Sequence, residues 1–152
     1  MTPERMHKQV AALKDGTVVD HLNAGMALKA LAALGSDPDH AALLGINLVS
    51  RKMGRKDILK LEGRELSAAE IARLAMFGPQ ATVSLIRDYN VVKKVQVELP
   101  GTIAGLLACP NPNCITNHER IETRFDVEAR KPICVRCRYC ERRIYENEFV
   151  LR

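Results

Sequence analysis

A chain of 152 residues with a net charge of +5 is long enough for one domain or two small ones, and its five cysteines, all after residue 108, argue for two. The positive surplus is spread over both parts, and aromatic residues are few, with three Phe, three Tyr and no Trp. This weakens a nucleic-acid reading, which wants a dense basic face with aromatic stacking platforms. No apolar run approaches the roughly 20 residues that span a bilayer, and no signal-peptide core opens the chain, which argues against membrane and secreted classes.

The first element is a β-branched run, Thr17 to Leu22, which follows Gly16 and ends on the polar pair Asp20 and His21. Ala24 to Leu34 then carries Met26, Leu28, Leu31 and Leu34 at helical spacing, closed by Gly35 and Pro38. Two apolar runs, Ala42 to Val49 and Asp57 to Leu61, flank a basic turn and predict a hairpin. Ser67 and Glu70 form a capping box for a helix running to Phe77, where Gly78 and Pro79 stop it. Ala81 to Ile86 and Val91 to Leu99 complete a strand-helix-strand-strand-helix-strand series with one extra strand. This order predicts a ferredoxin-like α+β sandwich over residues 1–100.

Residues 101–152 predict a small all-β module, with short strands at Thr102 to Cys109, Ile121 to Val127, Pro132 to Val135 and Arg143 to Leu151. This module has few large apolar side chains, so it needs a staple. Cys109 and Cys114 form one knuckle and Cys137 and Cys140 another, a pattern suited to four thiolates around one structural zinc ion. Cys134 makes a rival C-x2-C with Cys137, but it lies in the predicted strand leading into the knuckle, and Cys140 is preferred. Reduced thiols place the chain in the cytoplasm.

Four thiolates saturate zinc and leave no position for substrate or activated water, and the histidines at 7, 21, 40 and 118 fall in no catalytic motif. The chain therefore reads as a non-enzyme. Lys56 and Lys60 on one strand and Lys93 and Lys94 on the last could converge on a phosphate chain, although lysines often form only a solvated sheet face. Two rival readings share these features: a zinc-ribbon protein that binds nucleic acid, and a free-standing ferredoxin-like sensor of small molecules.

Four stretches carry a resemblance: Gly16 to His21 (GTVVDH), Met53 to Asp57 (MGRKD), Pro79 to Val83 (PQATV) and Cys109 to Ile115 (CPNPNCI). Their residues and order resemble the regulatory chain of aspartate carbamoyltransferase, nearly end to end. The resemblance implies a non-catalytic subunit in pyrimidine biosynthesis, with an allosteric domain at 1–100 that binds CTP and ATP, UTP being a further candidate. It implies that residues 101–152 dock on the catalytic chain, and that regulatory chains pair as homodimers bridging catalytic trimers. No membrane or nucleic-acid partner is implied.

Residue by residue, the resemblance sets Lys60 and Lys94 at the triphosphate, with His21 beside it and Asp20 near the ribose. Val10, Ala12 and Leu13 would offer main-chain groups to the base, and Ile86, Tyr89 and Val91 would complete its pocket. Asn111, Asn113, Arg130, Tyr139 and Glu141 would contact the catalytic chain. His7, Ala11 and Ser84 depart from the family pattern and bear on inhibitor preference and nucleotide synergy.

Overall fold

Strand β1 (Gly16–Asn23) runs through the middle of a five-stranded antiparallel sheet in the computed structural model, which describes residues 12–35 and 37–152. Its neighbours are β2 (Ala42–Ser50), β3 (Gly54–Glu62), β4 (Thr82–Arg87) and β5 (Asn90–Gln96), in the spatial order β2-β3-β1-β4-β5. Helix α1 (Ala27–Leu34) follows β1 and helix α2 (Ala68–Leu74) follows β3. The first four strands thus have the ferredoxin-like arrangement, and β5 is the added edge.

The pleat divides this sheet into two faces. Thr17 is opposite Leu61 and Leu85, and Val19 is opposite Leu59 and Val83, so these side chains share one face. Ile71 of α2 packs beside Thr17, Val83 and Leu85, and Val19, Leu59 and Leu61 are buried there. The alternate residues Val18, Lys60, Ser84 and Lys94 occupy the other face.

Each helix starts for its own reason. Ser67 Oγ accepts the Glu70 amide at 3.2 Å and Glu70 Oε1 accepts the Ser67 amide at 3.1 Å, forming the reciprocal cap of α2. Helix α1 starts at Ala27, three residues later than its composition predicts. The Ala27 amide donates to the buried carboxylate of Asp57 at 2.9 Å, which supplies the cap from β3. The other Asp57 oxygen accepts the Asn47 amide at 2.8 Å, where β2 bulges between Gly45 and Leu48. β1 also bulges: it continues past Asp20 to Asn23, with a register shift between Val19 and Leu22 and His21 at φ 61°.

The chain divides into two compact units, Met1–Glu98 and Leu99–Arg152. The second holds a four-stranded antiparallel sheet of β6 (Thr102–Ala104), β7 (Arg124–Arg130), β8 (Ile133–Cys137) and β9 (Arg143–Tyr145), in that spatial order. Leu107, Phe125, Ile133, Val135 and Ile144 are its fully buried large apolar side chains. β6 is shorter than predicted because Gly105, at φ 71°, turns its amide to the Thr123 carbonyl at 2.8 Å. β9 stops at Tyr145, whose amide donates to Glu148 at 2.9 Å to open a 3₁₀ turn at Glu146–Glu148.

Candidate metal centre and ligand face

In the second unit the two knuckles bring four thiols together. The Sγ atoms of Cys109, Cys114, Cys137 and Cys140 all lie within 4.8 Å of one another, with Cys109 to Cys140 at 3.6 Å and Cys114 to Cys137 at 3.8 Å. A tetrahedron with Zn–S arms of 2.3 Å has edges of about 3.8 Å. A disulfide would instead draw a pair to about 2.05 Å. Cys134 sits in β8 between Ala129 and Tyr145, outside the cluster. Among the described residues no other group of three or more His, Cys, Asp or Glu side chains is placed to hold a metal.

The local backbone is arranged for negative sulfur. The Asn111 amide faces Cys109, the Tyr139 and Cys140 amides face Cys137, and the Arg142 amide and Asn111 side chain face Cys140. Burial pushes the Cys109 and Cys137 thiols up, against these donors. At Cys140 burial also pushes upward, but the donors prevail and the thiol falls to about 7. A cation at the centre would relieve the burial cost for all four, so the donor set fits a tetrahedral metal with no open position.

The first knuckle is tied by its own continuation. Asn117 Nδ2 donates to the Cys109 carbonyl at 2.9 Å and to the Asn111 carbonyl at 2.7 Å, and His118 Nε2 donates to the Pro112 carbonyl at 2.7 Å. Asn111 Oδ1 accepts the Asn113 amide at 3.0 Å, so Asn111 serves the loop itself. Asn113, Tyr139 and Glu141 are exposed around the knuckles, with the Tyr139 hydroxyl on the Glu122 carbonyl at 3.1 Å. Arg130 stands apart, at the end of β7 away from the four clustered cysteines, and donates to the Leu99 carbonyl at 2.9 Å.

In the first unit the sheet face away from α1 and α2 gathers cations. Lys60 is opposite Val18, Val18 is opposite Ser84, and Ser84 is opposite Lys94, so both lysines rise from one line across four strands. Lys60 is buried, and desolvation depresses the pKa of its ammonium against the pull of Asp20. Lys93 is opposite Leu85 and lines the helix-side crevice with Glu65 and Ile71, so the four predicted lysines do not converge.

The β1 bulge adds Asp20 and His21 to this face. Asp20 Oδ1 lies 2.9 Å from Lys56 Nζ and accepts the His21 amide at 2.6 Å. The His21 Nδ1 is 3.5 Å from Thr82 Oγ1. Its pKa is lowered by burial and by the charges of Lys56, Lys52 and Lys94, with Asp20 pulling the other way. Lys56 and Lys52 are absent from the residues that the resemblance assigns to the ligand. The strand spacing does single out Lys56, which stands four residues from Lys60 on β3 and so on the same face.

At one end of the row the β4–β5 turn meets the entry to β1. The Tyr89 amide donates to the Lys14 carbonyl at 2.9 Å, and the Asp88 amide to Asp15 Oδ1 at 3.1 Å. Ile86 is opposite Gly16 and Val91, while Tyr89 and Val91 are exposed. Ala12 is exposed and Leu13 is buried nearby in sequence. Val10, with His7 and Ala11, lies outside the described residues.

Comparison with known proteins decides the family. The model described as "Aspartate carbamoyltransferase regulatory chain, allosteric domain" matches residues 8–98, and its "metal binding domain" counterpart matches residues 101–150. The chain belongs to the aspartate carbamoyltransferase regulatory chain family. A regulatory chain of Pyrococcus abyssi is 50% identical over 145 residues, covering 93% of this chain and 95% of the relative. That of Thermococcus kodakarensis is 47% identical over 148 residues, covering 96% of each chain, and that of Methanopyrus kandleri is 49% identical over 143 residues, covering 92% of each. This regulatory chain therefore combines an allosteric domain, which carries the lysine row, with a metal-binding domain, which carries the four thiols.

Proposed function

We propose that this regulatory chain binds CTP and ATP, with UTP as a further ligand, on the sheet face of its first unit away from α1 and α2, and controls a catalytic chain through its second. The observation that carries this reading is the row Lys60, Val18, Ser84, Lys94. Three inter-strand steps separate the lysine Cα atoms by roughly 14 Å, a span that two inward-reaching ammonium groups and a polyphosphate would fill. Asp20 and His21 would flank the ribose and phosphates. Main-chain groups near Val10, Ala12 and Leu13, with Ile86, Tyr89 and Val91, would receive the base, and such groups can tell a cytosine edge from an adenine edge.

Cys109, Cys114, Cys137 and Cys140 would hold zinc, whose role there is to fix two loops. Asn111, Asn113, Tyr139 and Glu141 on those loops, with Arg130, would meet the catalytic chain. Regulatory chains would pair through β2, an edge strand whose Leu43, Ile46 and Val49 are exposed. Four thiols reserved for a metal suit the reducing cytoplasm, and the pathway served is pyrimidine biosynthesis.

Regulation follows by population shift: a nucleotide that binds one state of the assembly more tightly moves the equilibrium by that difference alone. Calorimetric titration of the metal-loaded chain with CTP and ATP, beside Lys94→Ala, tests the site. Saturable binding that the variant loses supports it; equal binding by Lys94→Ala would exclude the lysine row. Inhibition of reconstituted holoenzyme by CTP then tests the signal.

A further inference from the structure

The segment 150–152 runs back along the chain that enters the first knuckle. The Ala108 amide donates to the Val150 carbonyl at 2.8 Å, Leu107 and Leu151 form an antiparallel bridge, and the Arg152 amide donates to the Leu106 carbonyl at 2.9 Å. This backbone pairing ends one residue before Cys109 and fixes the approach to the first metal ligand.

The Arg152 side chain then crosses to the other side of the knuckle. Its Nη2 donates to the Thr116 carbonyl at 3.2 Å and its Nη1 to the Ile121 carbonyl at 2.6 Å. Thr116 is buried, and its Oγ1 lies 3.1 Å from Cys114 Sγ. It belongs to the 3₁₀ turn Ile115–Asn117, whose Asn117 side chain holds the Cys109 and Asn111 carbonyls. One residue is therefore bound by its backbone before Cys109 and by its side chain after Cys114.

We propose that the Arg152 guanidinium is the clasp of the first knuckle and sets how slowly the metal is released. This rests on the four cysteines holding a metal. Release requires the 109–114 loop to swing away from Cys137 and Cys140, and that motion carries the Thr116 turn with it. A guanidinium bound to both the Thr116 and Ile121 carbonyls resists the swing, because its charge-assisted bonds break before sulfur can leave. Arg152 touches no sulfur, so it positions the ligands without joining them.

The test uses the full chain loaded with zinc, with metal content measured first, followed by the rate of zinc transfer to a chromophoric chelator. Arg152→Ala should transfer zinc at least about fivefold faster than wild type, since two bonds from a charged donor are lost. Arg152→Lys should fall between, because an ammonium can hold one carbonyl. Arg143→Ala is the control: it loses the contact to Glu128 in the same unit, lies outside both knuckles, and should transfer zinc at the wild-type rate. Cobalt loading of each variant should give the same thiolate charge-transfer absorption, since all four ligands remain.

Equal transfer rates for Arg152→Ala and wild type would overturn the proposal. So would equal acceleration in Arg143→Ala, which would reduce the effect to general loosening of the unit. Should Arg152→Ala fail to fold, a wild-type rate in Arg152→Lys would overturn it, and acceleration in that variant alone would uphold it. A wild-type chain that purifies and reconstitutes without metal would instead remove the metal reading itself.

Discussion

The Lys56 ammonium stands 2.9 Å from the Asp20 carboxylate, beside the bulge that interrupts pairing between β1 and β3. Burial would raise the Asp20 pKa, but the hydrogen bond and charge of Lys56, followed by the His21 amide, hold it below the ordinary carboxylate value. A depressed carboxylate stabilises the fold above its unfolded pKa of about 3.9, and the contribution fades as pH falls through the lower folded value. Asp20→Asn should cost about 1–2 kcal/mol at neutral pH, a buried-pair loss moderated by partial exposure. Urea unfolding at pH 7 and in steps below pH 4 should find the variant less stable at the first and less sensitive to acid below. Equal stability at pH 7 would show that the pair contributes nothing net.

His21 titrates against a cationic background. Burial first, then Lys56, Lys52 and Lys94, lower its pKa from 6.5, so the folded state favours neutral imidazole. This contribution to stability is present above the ordinary value and is lost as pH falls below it. A bound triphosphate would reverse the local charge and draw a proton onto His21. CTP titrations near neutral pH, in two buffers with different ionisation enthalpies, should therefore reveal net proton uptake, and His21→Asn should reduce it. Uptake unchanged in His21→Asn would assign the proton to another group.

The two close cysteines of β8 separate by experiment. Cys137→Ser should abolish stoichiometric metal binding and, with chelation of the wild type, melt the β7–β9 sheet as read by circular dichroism. The buried core of that unit is too small to hold without its staple. Cys134→Ser should keep one metal per chain and cost about 1 kcal/mol for burying a hydroxyl. Loss of metal in Cys134→Ser would show that the ligand set exchanges.

Asp57 is a structural hub without a charged partner among the contacts described: one oxygen caps α1 at Ala27 and the other pins the β2 bulge at Asn47. Asp57→Ala should leave two amides short of an acceptor, at about 1–3 kcal/mol each. Urea titration of the full chain, followed by circular dichroism, should find the first transition shifted accordingly. A shift under 1 kcal/mol would mean that water replaces the carboxylate.

At the exposed edge, Ile46→Asp places a charge on the β2 bulge, where it would oppose pairing with a second β2 while leaving the core untouched. Sedimentation should find the variant with a dimer dissociation constant raised at least about tenfold, near 1.4 kcal/mol. An unchanged constant would move the dimer contact elsewhere.

The order of elements was legible because apolar runs and breakers alternate: Gly35 with Pro38 and Gly78 with Pro79 stop both helical patterns, and Ser67 with Glu70 announces α2 locally. The start of α1 was not legible, since its cap comes from Asp57, thirty residues away in sequence. Periodicity also could not separate Lys93 from Lys94. Adjacent residues on a strand face opposite ways, and only the pairing of Leu85 with Lys93 and of Ser84 with Lys94 fixes which of them meets the helices. The two C-x2-C choices were equivalent by spacing; the predicted strand around Cys134 favours Cys140, and the Sγ atoms lying within 4.8 Å of one another include Cys140 and omit Cys134.

Strand β3 interleaves two vocabularies: Lys56 and Lys60 are written on one face, and Asp57, Leu59 and Leu61 on the other. A single-residue insertion just after Lys56 would exchange them downstream, turning Leu59 and Leu61 to the lysine face and driving Lys60 among the helices. A change of length in the turn at Arg51 to Met53 would leave this alternation in phase from Gly54 onward, whereas one inside β3 would not. The proposed ligand face and the packing against the helices therefore depend on one and the same strand.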